Sequence, residues 1–169
     1  MDPNELTADE WYTIIEGTGA TSGLVMMSDM SGPIGVSKEA MAATEALRDG
    51  KWSSPFMAAL RTQMFGATKE QQAELQRRAQ EKQAALKGQK IAPEQARNMF
   101  LDSIKAAVAL VDSKFGATET GLEYRQLLYE IAQKTAQAGK EGTFLGMGGT
   151  QVSNLEEAAL ADIRAALNL

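Results

Sequence analysis

Apolar residues recur at three- and four-residue spacing along most of this chain. No run alternates at period two for long enough to demand a sheet. The strongest stripe is Ala96, Met99, Phe100, Ile104, Ala107, Val108, Val111 and Phe115, widened by Leu101 and Leu110. Ala92-Pro93-Glu94 opens it, with proline suited to a first helical turn, and Gly116 closes it. This pattern predicts a central core helix with Phe100, Ile104, Val108 and Val111 largely buried.

Other stripes flank it. Thr7-Ala8-Asp9-Glu10 is a capping-box pattern. The helix it opens puts Trp11, Ile14, Ile15, Thr18, Ser22, Val25 and Met26 on one face. Its middle holds Gly17, Gly19 and Gly23, each costing about 1 kcal/mol against alanine in a helix interior. Either the helix breaks there, or another helix passes close enough for packing to offset the cost; one helix, with room for a kink, is the expectation. Ser31-Gly32-Pro33 ends it, and a weaker stripe predicts a helix over about 34–48, stopped by Asp49-Gly50.

Ser53-Ser54-Pro55 starts a short helix through Phe65, with Phe56, Ala59, Leu60, Met64 and Phe65 as inward positions. Thr68 and Gln71 form a second capping box, opening the most polar helix, 68–87. Its stripe is only Leu75, Ala79, the Gln83 stem and Leu86, narrow enough for one-sided contact. Thr118-Glu119-Thr120 starts a helix with Leu122, Leu128, Ile131, Ala132, Thr135 and Ala138 turned inward. After a glycine-rich stretch, 139–152, the pair Ser153 and Glu156 caps a last helix carrying Leu155, Ala159, Ile163, Ala166 and Leu167. The expected fold is all-α, one compact bundle of six or seven helices filling residues 1–169 as a single domain.

Composition narrows the chemistry. The 169 residues include no histidine and no cysteine. That excludes Ser-His and Cys-His nucleophile systems, imidazole or thiolate zinc sites, di-iron ExxH bundles and disulfides. Seventeen basic residues against 22 acidic ones give a net charge of −5, which disfavours a general nucleic-acid binder. No basic residue precedes Lys38, whereas Asp2, Glu5, Asp9, Glu10, Glu16 and Asp29 do. Over 69–90 the balance reverses, six basic residues against three acidic, or +3. A solvated helix face explains such a stretch. The sharper expectation is that helix 69–87 lies outside and meets acidic surface, in this chain or a neighbouring copy. The acidic N-terminus lacks the basic start of a signal peptide, and no apolar run is long enough to span a bilayer, so the cytoplasm is the expected location.

Candidate sites remain few. The glycine-rich stretch lacks the lysine of a phosphate-binding loop, and Gly146-Met147-Gly148-Gly149-Thr150-Gln151 fails the last glycine of a dinucleotide fingerprint. Amides after Ser153 can still bind an anion. Carboxylates can bind a hard cation or move protons. Asp29 and Asp112 each lie near a helix end, each followed by a glycine-containing turn and then an acid, Glu39 in one case and Glu119 or Glu123 in the other. Glu16 with Asp29 is the candidate pair for a carboxylate hydrolase. Nine methionines fill core gaps or line an adaptable apolar groove.

The run from Glu141 through Ser153, Glu141-Gly142-Thr143-Phe144-Leu145-Gly146-Met147-Gly148-Gly149-Thr150-Gln151-Val152-Ser153, with Glu156, Glu157 and Ala158-Ala159-Leu160 after it, resembles the ending of small bacterial proteins similar to the tellurite-resistance TerB-like family. Ser31-Gly32-Pro33-Ile34-Gly35 resembles the same group's turn after its first helix. The resemblance implies an all-helical fold with two pseudo-symmetric halves, a stress-response context and a divalent cation held by acids. It makes Asp29, Glu39, Asp112 and Glu119 the candidate ligands, although Asp29 and Gly32 are separated by two residues and Asp112 and Gly116 by three, a departure from the family's aspartate-glycine pattern. The resulting expectation is a non-enzymatic helical binding domain with a protein partner or itself as partner. A carboxylate-based hydrolase and a structural homo-oligomer stay open as alternatives.

Overall fold

The structure, a computed structural model, describes residues 1–28, 44–116, 118–138 and 153–169. After a 3-10 turn at Pro3–Glu5 come α1 (Ala8–Ser28), α2 (described over 44–49), α3 (Pro55–Phe65), α4 (Lys69–Leu86), α5 (Pro93–Phe115), α6 (Glu119–Ala138) and α7 (Asn154–Leu167). No strand occurs among the described residues, so the all-α bundle expected from the periodicity is what forms. The helices start where their caps stand. Thr7 and Glu10 exchange hydrogen bonds at α1, Thr68 and Gln71 at α4, and Ser153 and Glu156 at α7, while Ser54 caps α3. Each cap satisfies amides that a first helical turn leaves unpaired. Gly116 ends α5 at φ 77°, a conformation that a side chain opposes.

The centre of the bundle is α1 against α5, with α6 and α7 completing the core around them. Ile14, Leu24, Val25, Ile104, Ala107, Val111, Leu127, Leu128, Ile131 and Ile163 are buried together. Trp11 stacks on Phe56, whose ring also meets Phe115 and the edge of Tyr124, which ties α3 to the same core. The predicted core helix is thus shared: α5 supplies one wall and the glycine-bearing α1 the other.

Helix α1 runs unbroken through its glycines. Its small face lets α5 and α6 approach. A Cβ on Gly17 would fall 2.5 Å from the Ala107 Cβ and 2.7 Å from the Tyr124 oxygen. The Tyr124 hydroxyl uses that space to donate to the Ile14 carbonyl at 2.7 Å. Burial pushes the Tyr124 phenol pKa up, so it remains a neutral donor. The hydroxyls of Thr18 and Thr21 donate to the Ile15 and Gly17 carbonyls of their own helix, so these two polar residues sit in the core satisfied.

Some expected positions differ. Ile104, Val108 and Val111 are buried, but Phe100 is only partly so. Leu122, Leu155 and Phe65, expected inward, are exposed. In α6 the buried face is rotated to include Tyr124 and Leu127, because the ring and its hydrogen bond occupy the gap opposite Gly17. Leu155 lies in the first turn of α7, to one side of the face that Glu156, Ala159, Ile163 and Leu167 bury. In the expected helix 34–48, residues before 44 lie outside the described residues; of the rest, Ala46 and Leu47 are buried and Glu45 is exposed. The glycine-rich stretch 139–152 also lies outside them.

Candidate functional site

Helix α4 forms in an unusual setting. Its sequence offers Leu75 and Ala79 to the body, and among its described side chains none is buried. It makes no packing comparable to that among α1, α5, α6 and α7. Polar contacts hold it instead. Arg78 pairs with Asp9 at 2.5 Å and with Glu74 at 2.7 Å, and its guanidinium lies 5.4 Å from the centre of the Tyr12 ring. Lys82 pairs with Glu16. The basic helix therefore lies outside and meets acids of α1 within the same chain. Arg77 turns along its own helix to Glu74 and Glu81. Hydrogen bonds from Arg77 and then Arg78 hold the Glu74 carboxyl down at about 2.

Beneath α4 lies a cavity of about 550 Å³. The wall from α1 is Tyr12, Ile15, Glu16, Gly19 and Ala20; that from α5 is Ala96, Met99, Phe100 and Ser103. Leu75, Ala79 and Lys82 of α4 form the cover, and Ile91 the end. Phe100 is only partly buried because part of its surface faces this space. A Cβ on Gly19 would meet nothing within 4 Å, in contrast to Gly17 two residues earlier. The volume lies within the usual 300–1,000 Å³ of small-molecule pockets. A second cavity of about 450 Å³, more polar, shares Tyr12, Ile15 and Leu75 and continues towards Trp11, Gln63 and Gln71.

The polar groups of the apolar cavity gather at one place. The Ser103 hydroxyl donates to Glu16 Oε1 at 2.9 Å, and the Lys82 ammonium meets the same oxygen. The Glu16 side chain is 26% exposed and that of Lys82 is 47% exposed. The acid is set into the wall and the base reaches it from the cover.

The cation ligands suggested by the sequence have other surroundings. Asp112 pairs with the buried Arg125. Glu119 is exposed and accepts from the Ser53 hydroxyl at 3.3 Å. Asp29 and Glu39 lie outside the described residues, as does Asp29 in its suggested hydrolase pairing with Glu16. Among the described residues no three of His, Cys, Asp or Glu gather as a metal site. Glu123, the alternative to Glu119, accepts from the amides and the Ser53 hydroxyl at the start of α3, at 2.7–3.0 Å. Burial pushes its pKa up, but the hydrogen bonds from Ser54 and Ser53 outweigh this and leave it lowered. Its role is to dock α3.

No sequence motif marked the cavity. The signals nearest to it were the narrow stripe of α4 and the basic residues Arg78 and Lys82 of that helix opposite the acids of α1. Residues 31–35 and 141–152, which carry most of the TerB-like resemblance, lie outside the described residues. The chain matches no family model, no curated protein and no solved structure. No described helix is long and apolar enough to cross a membrane.

Proposed function

We propose that this chain is a non-enzymatic binding domain whose ligand is a small, largely apolar molecule held between α1, α4 and α5. The observation that carries the reading is the 550 Å³ cavity walled by Tyr12, Ile15, Ala96, Met99 and Phe100, with one polar cluster at its edge. Apolar walls with few convergent polar groups are the usual form of such sites. The cover supports the reading as well. Helix α4 is joined to α1 by ion pairs that include a side chain 80% exposed at Asp9. Contacts of that kind contribute little stability and are screened by salt, so the cover lifts at low cost and admits a ligand.

A neutral fluorescent probe, N-phenylnaphthylamine, tests it. The probe is expected to brighten on binding the wild-type chain and to stay dim with Gly19→Leu, whose side chain would fill the cavity from a wall position that has open space before it. Equal brightening with both proteins would place the probe elsewhere and remove this site. No brightening with the wild type would contradict the reading itself.

A further inference from the structure

We infer that the ligand's polar end is a cation, an amine or ammonium group that takes the place of the Lys82 ammonium on Glu16; this rests on the cavity being a ligand site. The choice between a cationic and an anionic head follows from which member of the Glu16–Lys82 pair is fixed. Glu16 sits on α1, the most firmly packed helix, and Ser103 of α5 donates to its Oε1 at 2.9 Å. Lys82 sits on the loosely packed cover, its side chain 47% exposed. Its four-carbon stem can swing the ammonium into water without leaving a buried charge behind.

A cationic head therefore exchanges one ammonium for another on a carboxylate that stays paired throughout. An anionic head would have to pull Lys82 away from Glu16 and lie beside that carboxylate. Glu16 would then be left without its counter-ion under an apolar tail, and an unpaired charge in such surroundings is costly. The other nearby cation, Arg78, is committed to Asp9 and Glu74. The tail of the ligand lies along Ile15, Met99 and Phe100. The site thus takes a hydrophobic amine.

Decylamine, decanol and decanoate share one tail and differ in the charge of the head. Calorimetric titration of the full chain with each is expected to give decylamine several-fold tighter binding than the other two, less than the roughly ten-fold or more of a whole charge-assisted hydrogen bond because Lys82 must first be displaced. Glu16→Gln should bring decylamine down to the level of decanol. Lys82→Gln removes the competitor and should tighten decylamine several-fold. That residue is on the cover and half exposed, so its variant reports even where Glu16→Gln does not fold. Equal binding of all three, tighter binding of decanoate, or decylamine unchanged or weakened by Lys82→Gln would each overturn the cationic head while leaving the cavity reading in place. Binding of none of the three would overturn both.

Discussion

Helix α1 has two neighbourhoods that differ by two residues of sequence. At Gly17 the chain is packed to contact: Ala107 and the Tyr124 hydroxyl occupy the space a Cβ would need. At Gly19 that space is empty and opens on the cavity under α4. The first side is held by buried apolar surface and buried hydrogen bonds, the second by ion pairs reaching across to a helix with no buried described side chain. The same residue type thus serves a close approach in one place and an opening in the other. Core burial resists perturbation, whereas exposed ion pairs yield to it.

The largest expected effect is on the packed side. Ile104→Ala should lose about 2–5 kcal/mol in a denaturant melt, from lost transfer energy and a residual cavity. A loss well under about 1 kcal/mol would mean that the α1–α5 face is not the core. Tyr124→Phe removes the bond to the Ile14 carbonyl and should cost about 1–2 kcal/mol, also by denaturant melt. An unchanged midpoint would show that the hydroxyl contributes nothing to closing α6 onto α1.

Acid sharpens the contrast. The Glu123 pKa is lowered in the folded chain, so its contribution is fully present above the ordinary carboxylate range and fades as pH falls through that range towards the folded value. Melting temperature should drop on that descent, and Glu123→Gln should flatten the drop. A variant profile parallel to that of the wild type would remove Glu123 as the docking group of α3.

The smallest effect is expected at α4. Arg78→Gln should leave the global melting temperature nearly unchanged while speeding hydrogen exchange of α4 amides, and salt should do the same to the wild type. Protection of α4 equal to that of α5, at low and high salt alike, would show that the cover is as firmly held as the core.

Much of this fold was legible in the sequence because its signals are local. Capping pairs such as Thr68 with Gln71 and Ser153 with Glu156 lie three residues apart and fix helix starts with no knowledge of the rest of the chain. The stripe of α5 likewise marks Ile104 and Val111. The face of α6 was less legible, since Tyr124 is buried by a partner, Gly17, that lies far away in sequence. The cavity was legible only indirectly, through the narrow stripe of α4; its place was not. Gly17 and Gly19 are identical letters on one helix, and only the path of the other helices decides which is covered. Opposite charge on 69–87 and the N-terminal acids did foretell contact between α4 and α1, although it did not reveal that Glu16 would be set beside Ser103.

The most direct measurement is a pair of melts, Gly17→Ala and Gly19→Ala, against the wild type. Both changes favour the helix by about 0.5–1 kcal/mol. At Gly17 the added methyl must displace Ala107 and Tyr124, and overpacking of about 1–3 kcal/mol should win, lowering the midpoint. At Gly19 nothing opposes the helical gain, and the midpoint should rise. Shifts of opposite sign are the result expected of a helix packed on one side and open on the other; shifts of the same sign would contradict it.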